Sequence, residues 1–170
     1  RFFNAGDMNR GDEDAEFKGY VFDSITNSFV TPNGTMGERH TGTNKWNLRL
    51  EDSQTGNKID PVLTIIDRRD DVVTVKLPYF GEDNEQGYVE RALPVMNVET
   101  PNGTVKVTTV HDLIMAHYAI DRGLGGEVAT SYQDDVAYTP HWQEKFTGVS
   151  ADMAIQTARE FADTAEATEG

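Results

Sequence analysis

The closing stretch, YTPHWQEKFTGVSADMAIQTAREFADTAEATEG from Tyr138 to Gly170, restricts the fold more than any other part of the chain. It predicts two consecutive helices whose ends are written in the residues. Thr139 supplies an N-cap hydroxyl, Pro140 takes the first helical position where its missing N–H costs nothing, and Gly148 closes the turn. Trp142 and Phe146 lie one turn apart and share a face of the first helix. Ser150 caps the second helix, and Asp152 falls in its first turn, where the helix dipole favours an anion. Ala151, Ile155, Ala158, Ala162 and Ala165 then draw a narrow stripe of small residues, which lets the helix approach a flat partner such as a sheet.

Before those helices the chain changes character once. Residues 1–16 are polar, with the acidic run Gly11-Asp12-Glu13-Asp14, and predict a surface loop. From Phe17 to Val107 the pattern is β-like. Asp23-Ser24-Ile25-Thr26-Asn27 and Asp52-Ser53-Gln54-Thr55-Gly56 predict the same tight hairpin turn used twice, with Asn27 or Gly56 as the left-handed residue. Pro-Asn-Gly-Thr, at 32–35 and again at 101–104, is a second recurring turn. Val62–Ile66 and Val72–Leu77 are the most apolar candidate strands, separated by the charged turn Asp67–Asp71. Val89–Val98 and Val105–Thr108 complete the β-rich part.

The chain then turns helical. Thr109 caps a helix expected to run through Ile120 and stop at Gly123, with Asp112 in a capping-box-like position. Val110, Leu113 or Ile114, His117 and Ile120 make its expected inner side. The expected organisation is a β-rich hairpin region over 1–108 and the helical part of an α/β domain over 109–170. The chain starts without Met and stops where an α/β protein would begin its next strand, so we expect a piece of a longer polypeptide.

Charge narrows the partners. Asp and Glu number 29 against 15 Lys and Arg, a net charge of -14 that repels phosphate backbones and argues against nucleic acid. Only 6 of the basic residues are lysine. Such a surface fits adaptation to high salt, where self-repulsion is screened, or simply an acidic protein. No cysteine is present, which removes disulfides and thiolate metal ligands alike. No apolar run approaches the ~20 residues a spanning helix needs.

Self-contained catalytic motifs are missing. His111 and His117 are six apart and diverge on a helix, unlike the i,i+4 pair of a zinc site; His117 reads as a core-edge histidine with a hydrogen bond. His40 and His141 are isolated in sequence. Gly123-Leu124-Gly125-Gly126 lacks the preceding strand and the lysine of a phosphate loop, and reads as a helix cap and turn. Glu82, Asp83 and Glu85 lack calcium-loop spacing and read as a solvated loop.

YTPHWQEKFTGV followed by AREFAD resembles the molybdopterin oxidoreductase superfamily, and within it the catalytic (α) subunit of membrane-bound respiratory nitrate reductase. KWNL at Lys45–Leu48, LPYFG at Leu77–Gly81, TTVHDLIMAHY at Thr108–Tyr118 and DRGL at Asp121–Leu124 suggest the same family in the same order. The resemblance implies an α/β fold and reduction of nitrate to nitrite at a molybdenum bis(molybdopterin guanine dinucleotide) centre. A [4Fe–4S] cluster would pass on electrons from quinol. It implies an iron–sulfur electron-transfer subunit and a haem-bearing membrane anchor as partners, with the subunit peripheral to the membrane and expected on its cytoplasmic face.

The family's cysteine and histidine cluster ligands and its metal-binding aspartate have no counterpart in this sequence, so no residue here is expected to ligate a metal. The loop Asp121–Tyr138 is the stretch expected nearest the cofactor. Arg122 would face a phosphate or the nitrate anion, or else pair with an acid at the helix end; Tyr132, Gln133 and Asp134 would meet a guanine or pterin edge. Two other readings are a sister molybdenum enzyme acting on selenate, chlorate or an organic oxide, and a stand-alone acidic α+β binding module.

Overall fold

The computed structural model describes residues 2–9, 15–33 and 50–168. They form a mixed α/β protein of two antiparallel sheets and three α-helices. The strands are β1 (Val21–Asp23), β2 (Ser28–Val30), β3 (Asp71–Pro78), β4 (Tyr88–Thr100) and β5 (Gly103–Val107). The helices are α1 (Val110–His117), α2 (Pro140–Thr147) and α3 (Ala151–Ala167). Two compact units result: Arg1–Leu63 with Asn97–Val107, and Thr64–Met96 with Thr108–Gly170. The acidic run 11–14, KWNL, His40 and the end of the first Pro-Asn-Gly-Thr string lie outside the described residues.

The first unit is built around the repeated turn. β1 and β2 pair with Val21 opposite Val30 and Asp23 opposite Ser28. The Asp23 carboxylate accepts the amides of Ile25 (3.3 Å) and Thr26 (2.9 Å) and the Thr26 hydroxyl (2.6 Å). Asp52 repeats the arrangement with the Gln54 amide and the Thr55 hydroxyl, both at 2.9 Å. Asn27 (φ 52°) and Gly56 (φ 70°) are left-handed, as the strings predicted. Phe3, Tyr20, Phe22 and Phe29 stack edge to face or tilted beside them, and Ile59 is buried. The opening residues are more ordered than a surface loop: Asn4 caps a short 3-10 turn, Ala5–Met8, whose Ala5 is buried.

In the second unit β3 and β4 pair antiparallel from Asp71 opposite Val95 to Pro78 opposite Tyr88. Alternation turns Val73, Val75 and Leu77 inward against Leu93, Arg91 and Val89. Val62–Ile66, expected as a strand, is irregular. Its amides go elsewhere: Val62 donates to the Phe22 carbonyl at 2.9 Å, and Ile65 donates to a carboxylate, that of Asp112, at 2.9 Å.

Helix α1 departs from expectation in length and in face. It ends at His117, not Ile120, because Ala119 turns left-handed (φ 56°) and its carbonyl accepts the Ala129 amide at 2.8 Å. Gly123 therefore caps nothing and lies in the following loop. The buried side of α1 runs through Asp112, Ala116 and Ala119, whereas Val110, Leu113, Ile114 and Ile120 are exposed. The carboxylate decides this rotation, since an apolar helix face is cheaper to leave in water than an ionised group is to strip of its donors.

Helices α2 and α3 keep the caps read from the sequence. Thr139 Oγ1 accepts the Trp142 amide, Ser150 Oγ accepts the Met153 amide, and Gly148 is left-handed at φ 69°. The Trp142 and Phe146 rings lie 4.8 Å apart. Of the small-residue stripe only Ala151 is buried and Ile155 half-buried; Ala158, Ala162 and Ala165 are exposed. Among the described residues no helix is long and apolar enough to cross a membrane.

Candidate functional site

The polar centre of the second unit is Asp112, which is fully buried in the first turn of α1. Thr109 caps the helix by accepting the Asp112 amide at 3.0 Å and donates its hydroxyl to Asp112 Oδ2 at 2.8 Å. The carboxylate also accepts the Thr64 hydroxyl (2.5 Å) and the Ile65 amide (2.9 Å), which pins the 64–65 segment to the helix. Arg122 completes the cluster, with Nη1–H donating to Asp112 Oδ1 at 2.5 Å and Nη2–H to Thr64 Oγ1 at 2.6 Å. Burial alone would raise the Asp112 carboxyl. The Thr64 hydroxyl, the Ile65 amide, Arg122 and the Thr109 hydroxyl outweigh it and hold the group below its usual 3.8.

Asp112 and Arg122 line a small cavity together with Arg91, Gly125 and Glu127, of about 10 Å³, enough for one water molecule. Arg91 is 1% exposed and reaches Glu127 Oε2 at 2.6 Å through Nη1.

The other expected contacts, Tyr132, Gln133 and Asp134, do not line this cavity. Asp134 caps its own loop by accepting the Thr130 amide (2.7 Å) and hydroxyl (2.9 Å) and the Ser131 amide (3.0 Å), and those donors lower its pKa. Gln133 donates from Nε2 to Asp152 at 3.1 Å. The Tyr132 side chain is 57% exposed, and its hydroxyl meets no partner among the described residues.

The loop returns to α2 through Tyr138, a bulky residue at φ 77°. That backbone is held by the Tyr138 hydroxyl, which donates to the Pro78 carbonyl (2.9 Å) and accepts the Phe80 amide (3.0 Å). His117 donates from Nε2 to the same carbonyl at 2.9 Å, since a carbonyl can only accept, and is half-buried: a core-edge histidine, as read from the sequence. Trp142 donates to the Tyr79 hydroxyl at 3.0 Å, and that hydroxyl donates to Asp83, which pairs with Lys145 at 2.5 Å. The 82–85 loop is thus tied down at Asp83 by a cation of this chain, and Lys145 lowers the Asp83 pKa.

These arrangements bind and position. Among the described residues no group of three or more His, Cys, Asp or Glu side chains could hold a metal ion. Sequence reasoning treated Asp112 as a cap alone and passed over Thr64 and Arg91. One signal was present: Val89, Arg91, Leu93 and Val95 alternate along a strand, so an inward-facing arginine was written into the pattern.

No family model matches the chain. It is 41% identical over 170 residues to the nitrate reductase alpha chain of Bacillus subtilis (strain 168), all of this chain and 14% of that one. With the respiratory nitrate reductase 1 alpha chain of Escherichia coli (strain K12) the identity is 41% over 165 residues, 91% of this chain and 13% of that one. With the nitrate reductase alpha subunit of Mycobacterium tuberculosis (strain ATCC 25618 / H37Rv) it is 38% over 182 residues, all of this chain and 14% of that one. The family resemblance carried by KWNL, LPYFG, DRGL and YTPHW is borne out: over the 14% of their length that it spans, the chain belongs to the nitrate reductase alpha chains.

Proposed function

We propose that this chain is part of the catalytic subunit of a respiratory nitrate reductase, which reduces nitrate to nitrite with electrons drawn from quinol. The observation that carries the reading is the alignment of all 170 residues with the Bacillus subtilis alpha chain at 41% identity. In this reading the subunit works with an iron–sulfur electron-transfer subunit and a haem-bearing membrane anchor, as a peripheral subunit on the cytoplasmic face. Its redox groups are a molybdenum bis(molybdopterin guanine dinucleotide) centre and iron–sulfur clusters, a [4Fe–4S] cluster among them. The sequence has no thiol, and among the described residues no group of three carboxylates and imidazoles could ligate a metal. Ligation of molybdenum and of the cluster belongs to other parts of the subunit.

The chain's own contribution is a wall and its connecting loop. We assign the helical part, 109–170, to an α/β cofactor-binding domain and the region 1–108 to a hairpin-rich layer. Within the loop Asp121–Tyr138, Tyr132 is the residue whose polar end is free to meet a guanine or pterin edge. Arg122, Gln133 and Asp134 serve that contact at one remove, because each already holds a partner within this chain.

The test is turnover by the full-length subunit with its partners, assayed with a reduced dye as electron donor. Nitrite formed from nitrate in preference to turnover of chlorate, selenate or trimethylamine N-oxide is the expected result. Preference for selenate or an amine oxide overturns the nitrate assignment. Tyr132→Phe is expected to raise the nitrate KM or lower cofactor content at unchanged protein yield. If both stay at the wild-type level, the cofactor contact is wrong while the nitrate reductase reading stands.

A further inference from the structure

Val89, Arg91, Leu93 and Val95 form the inward row of β4, and all four are buried. An arginine in an apolar row needs partners for five N–H donors. Arg91 Nη1 donates to Glu127 Oε2 (2.6 Å) and to the Glu90 carbonyl (3.0 Å). Nε and Nη2 are buried, and neither meets an acceptor among the described residues. These two atoms make one edge of the guanidinium and project their hydrogens side by side, the fork that matches two oxygens of a single oxyanion.

The surroundings favour an anion. Arg91 and Arg122 both line the same cavity, which brings two arginines to one space. Their acids are Asp112, whose oxygens are also taken by three other donors, and Glu127, which is 62% exposed and so well screened by solvent. The cavity as it stands, about 10 Å³, has room for a water molecule, whose one oxygen would have to serve both parallel donors. One wall is the Leu124–Val128 segment, which carries Glu127, contains the left-handed glycines 125 and 126 (φ 78° and 81°) and comes directly after a third, Gly123 (φ 70°). Gly126 packs against Ala92, the β4 neighbour of Arg91.

We propose that the Nε/Nη2 edge of Arg91, with Arg122 bordering the same cavity, is a receptor for one compact oxyanion, admitted when the Leu124–Val128 segment lifts. The shared chemistry is two oxygens of one trigonal or tetrahedral anion; a free anion such as nitrate and a phosphate group both present it. The site is defined by charge and geometry within this chain and stands whether or not the subunit turns over nitrate.

The experiment is hydrogen–deuterium exchange on the full-length subunit, following peptides over 88–96 and 121–129. Sodium nitrate or sodium phosphate is titrated against sodium chloride at matched ionic strength. Saturable protection of both peptides by nitrate or phosphate, and not by chloride, is expected. Nitrate acting alone identifies a free planar anion, and phosphate acting alone identifies a phosphate group; either supports the receptor. Arg91→Lys keeps the charge and loses the fork, so its half-saturation should move up at least about tenfold. Because a core variant can fail to fold, Glu127→Gln is the companion: it removes the carboxylate that competes for Arg91 at the exposed end, and half-saturation should fall several-fold. Exchange that is indifferent to both anions, responds equally to chloride, or is unchanged in Glu127→Gln overturns the proposal.

Discussion

Asp23 and Asp112 are both fully buried, and each ties together stretches far apart in sequence, yet they do so with different chemistry. Asp23, in the first unit, is satisfied by neutral donors: the Asp60 amide (2.7 Å), the amides of Ile25 and Thr26, and the Thr26 hydroxyl. Asp112, in the second unit, has two hydroxyls and an amide and adds the guanidinium of Arg122. A carboxylate can thus be buried on oriented dipoles alone, or on dipoles with a counter-charge. The two solutions differ in what they leave behind when broken. Removing Asp23 strands neutral N–H groups, whereas removing Asp112 strands a largely buried cation as well.

The largest effect should therefore come from Asp112→Ala in the full-length subunit. It leaves Arg122, the Thr64 hydroxyl and the Ile65 amide without their acceptor, a loss expected at about 3–5 kcal/mol. Urea unfolding or local hydrogen exchange over 60–70 and 109–123 would read it. Asp23→Ala should cost less, about 2–3 kcal/mol, because no charge is stranded. Equal losses at the two sites would show that the counter-charge contributes little and would collapse the distinction.

Arg122→Ala sharpens the same comparison from the other side. It converts the Asp112 cluster into an Asp23-like one, with hydroxyl and amide donors retained. The expected loss is about 1–2 kcal/mol, since hydrogen bonds to a charged group are worth more than neutral ones but three remain. In the proposed nitrate reductase, the nitrate KM should stay at the wild-type level if Arg122 positions the loop. A KM rise without loss of stability would return Arg122 to the role of an anion contact.

Acid separates the two clusters next. At Asp23 burial raises the carboxyl, but the Asp60 amide, the Thr26 hydroxyl and the Thr26 and Ile25 amides together bring it from 3.8 to about 2. A folded-state pKa below the unfolded one stabilises above the unfolded value, and that stabilisation disappears as pH falls through the folded value. Exchange protection of the Thr26 and Asp60 amides should hold down to about pH 4 and fall between there and about pH 2. Asp23→Asn, which cannot titrate, should flatten this acid dependence. Asp112 is also depressed, so the α1 segment should lose protection in the same direction.

The legibility of the chain follows the range of the interactions. Thr139, Pro140, Gly148 and Ser150 mark helix ends through bonds no more than four residues long, and every one of them stands where the sequence put it. The paired D-S-x-T strings announced their turns for the same reason. Asp112 was different, because its bonds run 10 residues to Arg122 and 48 to Thr64, beyond any local pattern. Once that carboxylate turned inward, the apolar side of α1 had to turn outward, and the helix face read from periodicity was lost. Arg91 was concealed likewise, since alternation shows that a strand residue faces inward without showing what it meets there. The family was legible throughout because motif order needs no geometry.

Asp52 supplies the smallest and cleanest perturbation. It occupies the same place in its five-residue string as Asp23 and accepts the corresponding amide and hydroxyl, but its turn is exposed and, among the described residues, its side chain accepts only from within that turn. Asp52→Ala should therefore cost only about 0.5–1 kcal/mol, the worth of a solvent-exposed local cap. Local exchange at Gln54–Gly56 should rise while the Asp23 turn is untouched. A loss as large as that of Asp23→Ala would mean that the turn motif itself, and not burial with the Asp60 amide, sets the stability of the first unit.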